Sequence, residues 1–468
     1  MIKTLKANID PAIPEIARLR AFYTLRTLAV PLGLRIETGP EYSEADIYIG
    51  QEMPDDRSDT SPKLHIPIDV NSLINPSAFS PYELKEELGC YVFNPTAASP
   101  FTQNENARQF HYDILGQAFW LLTGGHEKSR TTMDFLQKIG AFRIPIIDQN
   151  SRQLFKPFNT EDKLDVWSGP SFAVALSHDV DYPYFIRWKE FAKSLVSRES
   201  VAKLIRVAFG RPPDFWQFDS ILQAEDAFGF KSAFYFCPSP GSFFNYFLGD
   251  FDTFYSLTDE RIEKIMHQLV DMGWEVGLHA SCQAHRDSQQ FKTEMDSITA
   301  ITGHSNIGNR HHCWRLDRLQ PNRTLTLHSD LGLSYDSSLK VQNVIGYRRG
   351  TAFPFHPFDM TRNSAIATLQ LTPVLMDDDL MGRGRAGKAS DPKKEIDNIL
   401  LNSSKMNGLL VTDWHQRMMN GSYYPTEKSA YLYLLDRLNA LDCFVATPME
   451  ITEYWLARER LLGIVSTE

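Results

Sequence analysis

Asp179 and Asp181 close the segment ALSHDVDYP (residues 175–183), directly behind the apolar run Phe172–Leu176. Ionisable groups at the end of a buried strand are paired, bind a metal or do chemistry. At i and i+2 on an extended chain the two carboxylates share a face, and His178 points the other way, to packing or to support of the site. Carboxylates that close repel each other, and one takes up a proton unless a cation separates their roles. A divalent ion does so: one carboxylate ligates it while the other stays a base. Standing alone, the same stretch reads as an acidic turn before Tyr182-Pro183.

The pattern recurs along the chain. WEVGLH ends in His279 and runs into the small-residue loop ASCQAH, and GLLVTDWH ends in Asp413 and His415. NRHHCWRLD carries Arg310, His311, His312, Trp314 and Arg315, with Arg310 and His312 again at i and i+2. A single strand-end histidine is most often structural, and RHHCWR alone reads equally well as a polar loop. Several such endings in one region make a constellation, because parallel strands bring their C-terminal ends to one edge.

Those side chains need elements to carry them. The chain has 468 residues, 43% hydrophobic and 23% charged, which is ordinary globular composition for roughly two or three domains. A net charge of −10 without a basic run argues against nucleic acid or an anionic membrane surface as partner. The first residues lack the apolar stretch of a signal peptide, and no window is long enough for a membrane span, so a cytoplasmic location is expected. Cys90, Cys237, Cys282, Cys313 and Cys443 are odd in number and widely spaced, as suits reduced thiols.

Residues 1–150 mix the helix-like PEIARLRAFYTLRTLAV with strand-like ADIYIG, KLHIPIDV and CYVFNP, and a smaller mixed α/β domain is expected there. Residues 151–171 are polar and irregular and read as a linker. Over 172–468, the β-rich runs FAVALS, KSAFYFC, WEVGLH, IATLQLTPVLM, GLLVTDWH and DCFVATP alternate with the amphipathic FDSILQAEDAFG, TDERIEKIMHQLVDMG and QFKTEMDSITAITG. Gly229 and Gly273 stand where helix C-caps belong. The alternation predicts an α/β fold with a mostly parallel sheet, open or closed into a barrel. MGRGRAGKAS (381–390) reads as a surface loop.

In this order, LSHDVDYP, GWEVGLHAS, NRHHCWRLD, LGLSYDSSL, GYRRGTAFPF and LLVTDWH resemble the polysaccharide deacetylase superfamily, of the carbohydrate esterase family 4 type. They are most similar to a divergent bacterial branch with HDVD in place of TFDDG. The resemblance spans about residues 172–455, and residues 1–150 look like the accessory domain found ahead of such catalytic domains. It implies a distorted (β/α) barrel, usually seven-stranded, and metal-dependent removal of N- or O-acetyl groups from a carbohydrate, here in bacterial surface-glycan biosynthesis. Matched residue by residue, it makes Asp179 the catalytic base, Asp181 and His279 metal ligands, Arg310 the residue that positions the base, and His415 the general acid.

One position departs from the family pattern, which sets a second histidine four residues after His279, where this chain has Gln283. His312 is the expected third ligand, because it shares a face with Arg310 and a strand holds geometry better than a loop. His285, in the following loop, is the alternative. An Asp with two His suits Zn2+, and iron, cobalt, nickel and manganese also fit. Asp413 and Asp336 are the expected partners of His415. Trp314, Tyr182, Trp414 and Tyr335 are candidates for stacking on a sugar ring, and LMDDDL (375–380) reads as an acidic loop. Two other classes stay open: a hydrolase of amide or ureide C–N bonds on the same barrel, and a non-catalytic glycan-binding descendant suggested by Gln283. The sequence assigns no oligomeric state.

Overall fold

The computed structural model describes residues 2–39, 41–52, 62–103, 107–158, 165–196, 200–241, 252–382 and 391–464. Most of MGRGRAGKAS and part of the expected linker thus lie outside the described residues.

The N-terminal part builds a six-stranded sheet in the order Leu34–Thr38, Lys3–Ile9, Ile47–Gly50, Leu64–Pro67, Arg108–Phe110, Phe101–Gln103, parallel except for the last pair. Helix Glu15–Ala29 buries Ala17, Ala21, Leu25 and Leu28, a three- and four-residue spacing that makes one apolar face. That face and helix Ile114–Leu122 join Leu5, Ile47, Ile49, Leu64 and Ile66 in one core. Helix Ile146–Phe155 runs straight across the expected boundary at residue 150.

From residue 172 the chain alternates strands and helices and forms two parallel sheets. One has six strands in the order Ser177–Val180, Ala233–Phe236, Glu275–Leu278, Gly308–Asn309, Tyr335–Asp336, Leu369–Gln370. The other runs Pro373–Met376, Leu409–Asp413, Phe172–Ala175, Cys443–Ala446. Segments 172–180 and 369–376 each give one strand to both sheets. Gly229 and Gly273 follow helices Phe218–Asp226 and Glu260–Asp271 with φ of 70° and 83°, left-handed values that a Cβ would penalise.

Side-chain alternation along 172–181 decides where the chemistry faces. Phe172, Val174, Leu176 and Val180 enter the core under the helices, whereas Ala173 and Ala175 enter a second core with Tyr235, Tyr335, Leu369 and Val411. Ser177, Asp179 and Asp181 continue the alanine face, so the two carboxylates stand at the C-terminal end of that inner row.

The two parts share a core. Leu316, Leu325, Leu339, Val341, Val344, Phe355, Phe358 and Ile366 pack with the N-terminal apolar cluster. Asp148 accepts hydrogen bonds from Thr351 Oγ1 and Ala352 N, and Arg348 and Arg349 clasp Glu127. Among the described residues, no helix is long and apolar enough to cross a membrane.

Candidate active site

All the strands that carry the expected site residues run parallel, so their C-terminal ends meet at one edge. Asp179 and Asp181 end the strand Ser177–Val180, His279 follows Glu275–Leu278, Arg310 and His312 follow Gly308–Asn309, and Asp413 and His415 end Leu409–Asp413. Past Asn309 the ladder continues irregularly: Arg310 N donates to Leu278 O and His312 N to Ala280 O. This spacing turns Arg310 and His312 inward and His311 outward, onto Phe291 and His328.

Asp181 is the hub. Its Oδ1 lies 3.2 Å from His279 Nε2 and 3.6 Å from His312 Nε2. Its Oδ2 lies 3.1 Å from His415 Nε2 and 3.3 Å from Arg417 NH1. Asp181, His279 and His312 are all buried, and their ligand atoms lie within 4.8 Å of one another. The donor set fits a divalent cation, because the far nitrogen of each ring is already engaged: His279 Nδ1 donates to Arg310 O at 2.6 Å, and His312 Nδ1 pairs with Asp252 Oδ1 at 3.2 Å. That leaves both Nε2 atoms aimed at Asp181, the orientation in which metal-binding histidines are held. His285 instead places Nδ1 2.7 Å from Cys282 O and stays outside the group. Burial opposes ionisation of Asp181, yet His415, His279 and His312 overrule it and hold its carboxyl well below the usual range.

Asp179 is held from the other side. Arg310 NH1 donates to its Oδ1 at 2.9 Å, and its Oδ2 lies 3.8 Å from His279 Nε2. The guanidinium is fully buried; NH2 donates to Ser177 Oγ (2.7 Å) and Ser337 Oγ (3.1 Å), and Nε to Ser337 O (3.3 Å). Burial disfavours its charge, but Asp179 and Asp413 restore it and push its pKa above the ordinary value.

The partners of His415 differ from those expected. Asp413 faces Arg310 NH1 at 3.4 Å, and neither of its oxygens has a hydrogen-bond partner. Burial and then the charge of Asp179 raise its pKa. Asp336 accepts from Asn309 Nδ2 (2.9 Å) and from Ser338 N (2.9 Å) and Oγ (2.8 Å), so it shapes the turn beside Arg310. The partner of His415 is Asp377, which lies in the segment expected to be an acidic loop. That segment is a buried helical turn, Asp377–Leu380, straight after the strand Pro373–Met376. Asp377 thus repeats the pattern of an acid at a strand's C-terminal end. Burial disfavours protonation of His415, but Asp377 and Asp181 outweigh it and lift its pKa well above the ordinary value.

No family model matches this sequence, and no curated protein does. Solved structures show a likeness. A Mycobacterium smegmatis protein described as a polysaccharide deacetylase has 18% identity and a TM-score of 0.41, over 62% of this chain and 92% of its own. An allantoinase has 12% identity and a TM-score of 0.42, over 62% and 91%. The catalytic domain of a peptidoglycan N-acetylglucosamine deacetylase from Eubacterium rectale has 12% identity and a TM-score of 0.31, over 62% and 94%. This chain is similar to polysaccharide deacetylases.

The aromatic residues are placed differently from one another. Trp414 is fully buried and packs on Tyr431 with ring centroids 5.1 Å apart, so it offers no face to a sugar. Tyr335 is also fully buried, its hydroxyl on Glu275 and Tyr235 below the site. Tyr182 is buried with Lys189 and Arg417 over its ring. Trp314 is half-buried at the rim beside Lys340. His178 turns away from the carboxylates, placing Nδ1 2.7 Å from Trp414 O and Nε2 2.8 Å from Glu225 Oε1. It thereby anchors the backbone that precedes His415. Arg417, Asp252 and Asp377 complete the site, and none was among the expected site residues.

Proposed function

We propose that this chain is a metal-dependent hydrolase that removes an N- or O-acetyl group from a carbohydrate, an N-acetylated sugar or glycan precursor of bacterial surface-glycan biosynthesis. The observation that carries the reading is the two-sided contact of Asp181, with His279 and His312 at one oxygen and His415 at the other. Asp179 stands alongside, gripped by Arg310. Asp181, His279 and His312 would hold the cation, with Zn2+ proposed ahead of iron, cobalt, nickel or manganese; such an ion lowers the pKa of a coordinated water towards roughly 7 and polarises a carbonyl.

The chain's own groups supply the proton transfers. Arg310 engages Asp179 Oδ1 and leaves Oδ2 turned to His279, where it takes the proton of the attacking water. A backbone N–H of the turn His312–Trp314, beside the site, receives the oxyanion as the carbonyl becomes tetrahedral. His415, kept protonated by Asp377, gives its proton to the departing sugar amine or alcohol. The two sheets, through their shared segments, make up a distorted seven-stranded barrel in this reading. Residues 1–150 are an accessory domain that braces the 310–366 region from outside.

The test is elemental analysis of the purified chain together with acetate release from N-acetylated sugars and nucleotide sugars. Stoichiometric transition metal with acetate release is expected. Only trace metal after reconstitution, with no acetate released, overturns the reading. Turnover confined to small amides or ureides would move the chain to the C–N hydrolase class, and sugar binding without metal or turnover to the glycan-binding class.

A further inference from the structure

His312 also faces a second cluster. Its Nδ1 meets Asp252 at 3.2 Å, and a ring nitrogen lies within 4.8 Å of the Cys282 thiol. The thiols of Cys282 and Cys313 and a ring nitrogen of His312 lie within 4.8 Å of one another, a spacing that a single ion spans. Cys282 is fully buried in the loop after His279, and its N–H donates to Asp252 Oδ1 at 2.8 Å, which fixes its backbone. Cys313 is exposed, so the cluster has a route from solvent.

The backbone supports the same reading. Cys313 and Trp314 have φ of 56° and 48°, two successive non-glycine residues in the left-handed region. Such a conformation is strained for a residue with a side chain and persists where its surroundings impose it. Here the turn sets the Cys313 thiol within 4.8 Å of the Cys282 thiol and a His312 ring nitrogen. The donor chemistry then separates two adjoining sets. Asp181, His279 and His312 offer one carboxylate and two imidazoles, whereas Cys282, Cys313 and His312 offer two soft thiolates and one imidazole, a set that selects thiophilic ions.

We propose that Cys282, Cys313 and His312 form a second metal site, for a thiophilic cation such as Zn2+, Cd2+ or Cu+, which competes with the Asp181 set for His312. Binding converts both thiols to thiolates and releases two protons to solvent, with no change of oxidation state. The site itself does not depend on the hydrolase reading; only its effect on turnover does. Filling it takes His312 from the Asp181 set and lowers acetate release.

The test is titration of the reduced full-length chain with Cd2+, followed by thiolate-to-metal charge-transfer absorption in the ultraviolet. The expected result is one Cd2+ per chain with that band, lost in Cys282→Ser and in Cys313→Ser and kept in Asp181→Asn. Cys313→Ser changes an exposed position, so it decides the matter even where Cys282→Ser fails to fold. A wild-type chain without the band, or a band of undiminished size in Cys313→Ser, overturns the proposal. A wild-type chain that shows the band with Cd2+, yet releases no acetate when assayed without Cd2+ after reconstitution with Zn2+, counts against the hydrolase and for the thiol site.

Discussion

Asp377 and His415 meet twice: one carboxylate oxygen, Asp377 Oδ2, accepts from both His415 Nδ1 (2.9 Å) and His415 N (2.7 Å). The double contact fixes the ring and its protonation, and it leaves Nε2 facing the site. Asp377→Asn is expected to lower kcat on an N-acetyl sugar by about 10²–10⁴ while metal content stays unchanged. An acetyl ester with a phenolate leaving group needs no proton on departure and is expected to be largely spared. Equal losses on both substrates would remove His415 from the role of general acid.

Asp179 and Asp181 share a face yet touch different groups, so their amides are expected to fail differently. Asp181→Asn loses the oxygen that faces both imidazoles, and elemental analysis is expected to show metal loss. Asp179→Asn keeps that set, and it is expected to retain metal while turnover falls by about 10²–10⁴. Retained metal in Asp181→Asn would sink the assignment of the hub.

The third ligand is tested by a pair of variants. His312 Nε2 faces Asp181, whereas His285 is turned to the Cys282 carbonyl. His312→Ala is expected to lose metal and His285→Ala to keep it, by elemental analysis after dialysis. The reverse outcome would move the ligand into the loop.

Arg310 is a buried cation between two buried carboxylates, 2.9 Å from Asp179 and 3.4 Å from Asp413. Removing one partner of such a pair strands the charges left behind, at about 3–5 kcal/mol. Arg310→Met is expected to lose stability of that order in urea unfolding, and to lose less in an Asp413→Asn background. Equal losses in both backgrounds would show that Asp413 is not coupled to the guanidinium.

Much of this site was legible because the strands are short and parallel. An apolar run followed by Asp or His marks the strand edge, and the alternation of ALSHDVDYP places Asp179 and Asp181 inward and His178 outward. The same alternation turns Trp414 away from Asp413 and His415 and into the core against Tyr431, so this candidate for sugar stacking has no face on the site. Asp377 was hidden by its neighbours. Three successive acids look like a solvated turn, yet Asp377 and Asp379 are buried and only Asp378 is partly exposed. Asp252 follows no periodic run, so nothing local announces that it meets His312. The helix across residue 150 escaped because IIDQNSRQLF is polar on one side and precedes an irregular stretch.

Glu127 ties the N-terminal part to the region behind the site and gives acid stability a specific cause. Its carboxylate faces Arg348 Nε at 2.9 Å and Arg349 Nε at 2.6 Å, all three side chains largely buried. Burial opposes its ionisation, but the two guanidinium groups overrule this and bring its pKa from 4.5 to about 2. A carboxyl with a depressed folded-state pKa stabilises the fold above its unfolded pKa. That contribution drains away as pH falls through the interval between the two values. The gap corresponds to about 3 kcal/mol. Unfolding free energy in urea is expected to decline between pH 4.5 and pH 2 by an amount of that order attributable to Glu127. Glu127→Gln is expected to be less stable than wild type at pH 7, and the difference is expected to shrink as pH falls through this window. A difference that stays constant across the window would mean that the clasp is not carried by the charge of Glu127.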